Sequence, residues 1–271
     1  MSQRDPGRRR AGTAAGTRRQ NRREPDDAGH VRYRSRSESE FRLPPSVLAE
    51  LRAAGAAGAA GADPLERRSS SKVPGRPPAR SAADLEQRLG AAARAYRRDR
   101  YEEALSALRP VLEHAPSSAA AKELYGLTLY RMGRWRQAEK QLRQLYELTG
   151  SYDQHPVIAD CERALGHLDK VRTVFDEMRT QGVDREVLVE GRLVMAGALA
   201  DAGLLAEATA VLVKDARKRR NPDLGHLREW YVLADLFERA GDLPRARELF
   251  SRVAVADPDG FDAGERLAAL C

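Results

Sequence analysis

The residues best suited to chemistry in this 271-residue chain are the arginines near its start. Guanidinium groups at this density neutralise phosphates and release counterions, which gives a salt-dependent affinity for nucleic acid that does not depend on base sequence. The arginines that would contact RNA or a ribosome are Arg8, Arg9, Arg10, Arg18, Arg19, Arg22 and Arg23. The alternative is a solvated tail, because the chain has 41 arginines and only 6 lysines, a ratio typical of a high-GC bacterial genome.

Other residue types that carry out catalysis or bind ligands are scattered along the chain. The five histidines show no metal-binding spacing, and no glycine-rich phosphate loop is present. Residues 257–260 (Asp-Pro-Asp-Gly) lack the glutamate that a calcium loop needs at its twelfth position, so we interpret them as a turn between helices. Cys161 falls in a predicted core helix, far from Cys271. We therefore expect no metal, no cofactor and no enzymatic activity.

The charge is distributed unevenly between two parts of the chain. Residues 1–80 hold 18 basic and 9 acidic residues, whereas the remaining 191 hold 29 basic and 31 acidic. Large apolar residues are rare in the first part, so burial there cannot offset the entropy of ordering the chain. We predict a disordered tail over 1–80 and a folded domain over 82–271. With no apolar stretch for a signal sequence or a membrane span, we expect a cytoplasmic protein.

One apolar segment interrupts the predicted tail. Ser46 is placed to cap a short helix over residues 44–54. The candidate docking residues in and before this helix are Phe41, Leu43, Val47, Leu48 and Leu51. Two interpretations are open: the segment docks on a partner or on the folded domain of its own chain, or it is a transient helical turn in a linker.

The last third of the chain carries a 34-residue pattern. Counting from Leu227, Trp230 is fourth, Ala234 eighth, Ala246 twentieth and Pro258 thirty-second. Leu233, Phe237, Gly241 and Phe250 fill further positions of the same pattern. The segment resembles the tetratricopeptide repeat, a unit of two antiparallel helices that needs neighbouring units to bury its apolar faces.

Upstream segments follow the same pattern, with alanine recurring at the twentieth position and valine in its place in the third repeat. These are residues 104, 138, 171, 208 and 246, so the spacings are 34, 33, 37 and 38. The resemblance implies an all-α, right-handed solenoid with repeats at about 85–118, 119–151, 152–186, 189–222 and 227–260. A short capping helix is expected over 260–271. The third and fourth repeats match least well, because Glu162 stands where an aromatic is expected and no aromatic lies between Val189 and Arg220.

The resemblance also implies a concave groove lined by the first helix of each repeat. The residues at groove positions are Glu123, Tyr130, Arg131, Asp160, Arg163, Tyr231, Asp235, Glu238 and Arg239. The lysines and asparagines with which some family members clamp a carboxylate are replaced here by Leu89, Ala93, Glu123 and Leu127. The mixed charge and the tyrosines suit a peptide or helix that carries basic and apolar residues.

Two classes of function follow from these features. The first is a protein-interaction scaffold that binds its partner in the groove. The second is an RNA- or ribosome-associated factor tethered by its arginine-rich tail. The sequence identifies neither the partner nor the oligomeric state.

Overall fold

The computed structural model describes residues 82–214 and 220–270, and every regular element in these ranges is an α-helix. In chain order the helices are α1 Ala82–Arg97, α2 Tyr101–His114, α3 Ala119–Arg131, α4 Trp135–Thr149, α5 His155–Ala164, α6 Leu168–Gln181, α7 Arg185–Asp201, α8 Leu205–Val213, α9 Leu224–Arg239, α10 Leu243–Ala256 and α11 Ala263–Ala269. Helices α7 and α9 begin a few residues before the repeat starts expected at 189 and 227. The predictions for the first 80 residues lie outside the described residues.

The helices pair as five hairpins, each closed by a residue with positive φ. These residues are Asp99, Gly133, Gly166, Gly203 and Gly241, with φ between 58° and 79°. Glycine adopts this left-handed conformation without strain, and aspartate is among the few other residues that tolerate it. Asp99 is further held by Tyr101, whose hydroxyl donates to Asp99 Oδ1 over 2.5 Å. The same backbone turn therefore closes all five hairpins.

Small residues allow the two helices of each hairpin to approach closely. Ala104, Ala138, Val171, Ala208 and Ala246 are each fully buried. In the second hairpin, a Cβ added to Gly126 would lie 2.6 Å from Leu142 Cδ2 on the opposite helix. Close packing of this kind leaves no room for a larger side chain. These contacts set the spacing between the layer of first helices and the layer of second helices.

The first helices, α1, α3, α5, α7 and α9, lie on the inner side of the array. Helix α1 contacts α3, α5 contacts α7, and α7 contacts α9, whereas no two second helices pack to a comparable extent in the described ranges. A stack of hairpins curves toward the side on which its helices are closer together. We call this side the inner surface.

Two helices depart from the regular pattern. Helix α5 has only ten residues, and its residues 155–162 are all buried among α4, α6 and α7. Helix α11 has seven residues and packs mainly on α10, where the first helix of another repeat would lie. The array therefore has an enclosed middle and a short helix over its C-terminal end.

Candidate functional site

The nine predicted groove residues all lie on first helices, namely α3, α5 and α9. Most of them form contacts across hairpin boundaries, and they gather into two main groups on the inner surface. One group joins α3, α5 and α7, and the other joins α9 to α11.

The first group, the central polar cluster, comprises Tyr130, Asp160, Arg163 and Asp201. The Tyr130 hydroxyl donates to Asp160 Oδ2 over 2.5 Å, and Arg163 Nε donates to Asp160 Oδ1 over 2.9 Å. An Arg163 terminal nitrogen also lies 3.6 Å from Asp201 Oδ2 on α7. Tyr130 and Asp160 are buried, and buried polar atoms require hydrogen-bond partners. Tyr130 and Arg163 supply one partner to each carboxylate oxygen of Asp160. The cluster fixes three consecutive first helices relative to one another.

A glycine on α7 makes room for the central polar cluster. A Cβ added to Gly197 would lie 2.5 Å from a terminal nitrogen of Arg163. The guanidinium therefore lies directly over the backbone of α7. The long arginine side chain is the part that would have to move if this position carried a larger residue.

Glu123 and Gln154 form a second link between the second and third hairpins. Gln154 Nε2 donates to Glu123 Oε1 over 2.7 Å. Burial is the main reason why the pKa of Glu123 is raised; the hydrogen bond from Gln154 acts against that shift, and nearby Asp153 adds to it. The next residue, His155, is buried against Tyr146 and Tyr152, with ring centroids 4.8 and 4.4 Å away.

Arg131 reaches back from the second hairpin to the first. Its terminal nitrogen lies 3.2 Å from Asp99 Oδ1, and its guanidinium carbon lies 5.3 Å from the centroid of the Tyr101 ring. The turn residue Asp99 thus receives hydrogen bonds from Tyr101 and Arg131. Arg131 extends the line of polar contacts on the inner surface toward the N-terminal hairpin.

The second group, the C-terminal arginine site, comprises Tyr231, Asp235 and Glu238 of α9 with Arg266 of α11. An Arg266 terminal nitrogen lies 2.9 Å from Asp235 Oδ1 and 2.5 Å from Glu238 Oε2. Its other terminal nitrogen lies 3.5 Å from the Tyr231 hydroxyl, which itself donates to Asp262 over 2.5 Å. Burial and the bond to Asp262 raise the pKa of Tyr231 to about 12. The phenol therefore stays protonated.

Arg239 connects this end of the inner surface to the fourth hairpin. Its terminal nitrogen donates to the Ala200 carbonyl oxygen over 3.0 Å, and its side chain lies 3.9 Å from Asp235 Oδ2. The carbonyl belongs to the last turn of α7, where backbone oxygens lack partners within the helix. Arg239 is exposed, so it also presents charge to solvent.

Sequence reasoning missed two ion pairs between α7 and α9. Arg192 donates to Glu229 Oε1 over 2.5 and 3.0 Å, and Arg228 donates to Glu190 Oε1 over 2.7 Å. Glu229 is fully buried, and burial raises the pKa of Glu190 to about 7 despite the opposing charge of Arg228. The available signal was Arg192, which occupies the fourth position of its repeat, where the pattern expects a large apolar residue.

Two predicted features lie outside what the structure describes, namely the docking segment from Phe41 to Leu51 and the arginines from Arg8 to Arg23. Within 82–214 and 220–270, no three histidine, cysteine or acidic side chains converge as a metal site. No helix in these ranges combines the length and apolarity needed to cross a bilayer.

Stacked helical hairpins with their first helices on the inner side define an α-solenoid of helical repeats. Residues 95–148 match the tetratricopeptide repeat family model. The chain therefore carries tetratricopeptide repeat sequence over these residues, and the predicted all-α solenoid with a short end helix is confirmed for the described residues.

Solved structures of tetratricopeptide proteins have a similar fold. A thermophilic TPR protein of Thermus thermophilus is 18% identical, with a TM-score of 0.53 over 69% of this chain and 98% of that one. Nearly identical TPR-like repeats of a putative kinesin light chain from Podosopora anserina are 16% identical, with a TM-score of 0.51 over 64% of this chain and 94% of that one. No curated protein matches the sequence significantly. Tetratricopeptide folds serve in general as scaffolds for protein–protein interaction.

Proposed function

We propose that this chain is a protein-interaction scaffold that binds a peptide or a helix of its partner along the inner surface. The observation that carries the proposal is the near-continuous strip of fixed polar side chains on first helices, from Arg131 through the central polar cluster to the C-terminal arginine site. Side chains that are already ordered lose little rotamer entropy when a ligand binds. The strip therefore supplies charge and hydrogen-bonding groups at low entropic cost.

The composition of the strip indicates the kind of ligand. Carboxylates and guanidinium groups alternate along it, and the two tyrosines Tyr130 and Tyr231 each combine a hydroxyl with an aromatic ring. Tyrosine and arginine, together with tryptophan, are enriched among the residues that dominate the binding energy of protein interfaces. A segment with basic and apolar side chains fits this surface, as the sequence also indicated.

Peptide selection with site-directed variants tests the proposal. Peptides would be selected from a random library on the full chain, and their affinities measured by calorimetry. Ala164 lies one turn beyond Asp160 on the same face of α5 and is exposed, so Ala164→Arg should weaken the selected peptides at least tenfold. The matched control is Ala206→Arg on the second helix α8, where an exposed alanine lies on the opposite layer.

The two variants give clear outcomes. Affinity that falls for Ala164→Arg and stays within twofold for Ala206→Arg supports binding on the inner surface. Equal effects at both positions, or no effect at Ala164, would contradict the proposal. Circular dichroism on both variants checks that the helices remain intact.

A further inference from the structure

Arg266 lies in a complete receptor for a guanidinium group. Two carboxylates, Asp235 and Glu238, accept hydrogen bonds from one terminal nitrogen, and Tyr231 lies beside the other. The Phe250 ring covers the group, with its centroid 4.9 Å from the guanidinium carbon. Arginine suits such a site better than lysine, because its planar fork reaches two acceptors and its face packs on an aromatic ring.

The helix that supplies Arg266 packs on α10 but buries little of its own surface. Ala263 is the one buried side chain within α11, and four of its seven residues are exposed. Just before α11, Phe261 stacks on Tyr231 with a centroid separation of 5.3 Å. A seven-residue helix is too short to be stable without tertiary contacts. Elements with so little buried apolar surface open more readily than the rest of a fold.

The C-terminal arginine site differs from the central polar cluster in the partner of its aspartate. Asp160 and Asp235 occupy the same position of their repeats. Asp160 is buried and paired with Tyr130 and Arg163, which both belong to hairpins. Asp235 is instead paired mainly with Arg266, which belongs to no hairpin. Release of α11 would therefore uncover the acidic site without taking any hairpin apart.

We propose that Arg266 acts as an internal ligand and that a partner segment bearing an arginine takes its place at Tyr231, Asp235 and Glu238. The proposal rests on the proposed function and names the partner chemistry at one end of the inner surface. Because a tethered ligand competes at a high effective concentration, the intact chain holds the site mostly closed. Binding of the partner then requires release of α11, and the two events occur together as one exchange.

Binding of designed peptides to the full chain tests this exchange. The probes are three alanine-rich helical peptides of equal length that differ at one central residue, which is arginine, lysine or citrulline. We expect Arg266→Ala to bind the arginine peptide at least tenfold more tightly than the unmodified chain does. The lysine peptide should bind more weakly than the arginine peptide, and the uncharged citrulline peptide should not bind measurably.

A second variant keeps the test valid if Arg266→Ala loosens the C-terminal end. Adding Asp235→Asn and Glu238→Gln to Arg266→Ala removes both carboxylate charges and should abolish the gain. Hydrogen exchange on the unmodified chain gives an independent readout, since saturating arginine peptide should reduce protection in α11 while α7 stays protected. No gain in Arg266→Ala, equal binding of the citrulline peptide, or unchanged α11 protection would each overturn the proposal.

These outcomes are separable from those that test the proposed function. Selected peptides that respond to Ala164→Arg but not to Arg266→Ala would leave the inner surface as a binding site and overturn only the role of Arg266. Failure at both positions would overturn both proposals.

Discussion

Two junctions between neighbouring hairpins are built from opposite chemistry. Where α3 meets α5, a neutral donor faces a carboxylate twice: Tyr130 bonds Asp160, and Gln154 bonds Glu123. Where α7 meets α9, a guanidinium faces a carboxylate twice, in the pairs Arg192–Glu229 and Arg228–Glu190 (the double ion pair). The first junction uses polar but mostly uncharged donors, whereas the second uses charged donors, with Glu229 fully buried and its three other members partly buried.

Hairpins with similar backbones are therefore held to their neighbours by different side-chain interactions. A buried ion pair repays the cost of desolvation only when both partners remain, so it contributes little net stability but penalises any change to one side. In the double ion pair, Glu190 Oε2 and Glu229 Oε2 have no hydrogen-bond partner among the described residues, which adds to that cost. The α7–α9 junction should therefore respond more strongly than the α3–α5 junction to substitution, and differently to pH.

The two tryptophans allow each junction to be followed separately. Trp135 begins α4 in the second hairpin, and Trp230 lies in α9 of the fifth. Stacked repeats contact only their neighbours, so a change at one junction is felt mainly nearby. Trp135→Phe leaves Trp230 to report on the α7–α9 junction in urea unfolding, and Trp230→Phe leaves Trp135 to report on the α3–α5 junction.

The largest effect is expected from Arg192→Ala. The substitution leaves the fully buried Glu229 without a counter-charge, so the unfolding free energy reported by Trp230 should fall by about 3–5 kcal/mol. Replacing both partners by methionine should recover most of the loss. The control is Arg172→Ala, which breaks the exposed Arg172–Glu207 pair and should cost less than about 1 kcal/mol. If Arg192→Ala cost no more than the control, the double ion pair would be no more sensitive to substitution than an exposed ion pair.

A smaller effect is expected from Tyr130→Phe at the α3–α5 junction. The substitution keeps the edge-on packing against Trp135, whose ring centroid is 5.3 Å away, and removes the hydrogen bond to Asp160. Because Arg163 still pairs with Asp160, the Trp135-reported free energy should fall by only about 1.5 kcal/mol. Tyr152→Phe, which removes a part-buried bond to Tyr146, serves as the control and should cost less. A loss equal to that of Arg192→Ala would erase the contrast between the junctions.

The contrast also shows which features the sequence was able to predict. The five hairpins follow from repeated small residues and, in four of them, from turn glycines, which are local features. Glu162 and Arg192 depart from the repeat pattern, yet each is a charged residue with a defined partner. Glu162 is buried beside His167 and Lys170, and Arg192 pairs with Glu229.

The groove residues show the same limit. Their helix positions follow from the repeat register, so the sequence could place Asp235 and Glu238 on a first helix. Their partner Arg266 lies about 30 residues away, and the pairing depends on how α11 sits against α9 and α10. No periodicity in the sequence encodes the orientation of α11, because that orientation results from packing between helices. The sequence therefore indicated a surface but not the contacts that occupy it.

The α7–α9 junction should become more stable as the pH falls from 7 to 5. Burial raises the pKa of Glu190 from 4.5 to about 7, so the folded chain takes up a proton in this range before the unfolded chain does. The stability from the protonated form is fully present below about pH 4.5 and is lost as the pH rises to about 7. The unfolding free energy reported by Trp230 should rise by an amount on the order of 1 kcal/mol between pH 7 and pH 5. Glu190→Gln should abolish this gain. A gain that persists in this variant must come from another group.

At the α3–α5 junction, His155 should contribute a pH dependence of stability with the opposite sign. Burial, assisted by the charge of Arg143, lowers the pKa of His155 from 6.5 to about 4. Its stabilising effect is therefore present above about pH 6.5 and is lost as the pH falls toward 4, because the unfolded chain binds the proton first. Glu177 lies 3.6 Å from His155 Nε2, and the raised pKa of Glu123 opposes the effect. The net change reported by Trp135 should accordingly be small.

Paired variants separate these opposing contributions at the α3–α5 junction. His155→Phe keeps the aromatic contacts with Tyr146 and Tyr152 and removes the titrating group, so acidification from pH 7 to 5 should then stabilise the junction slightly through Glu123. Glu123→Gln removes the opposing group and should leave a loss on the order of 1 kcal/mol over the same range. If both variants followed the parent chain, neither group would control the junction. The two junctions would then differ in how strongly they respond to substitution but not in the sign of their response to pH.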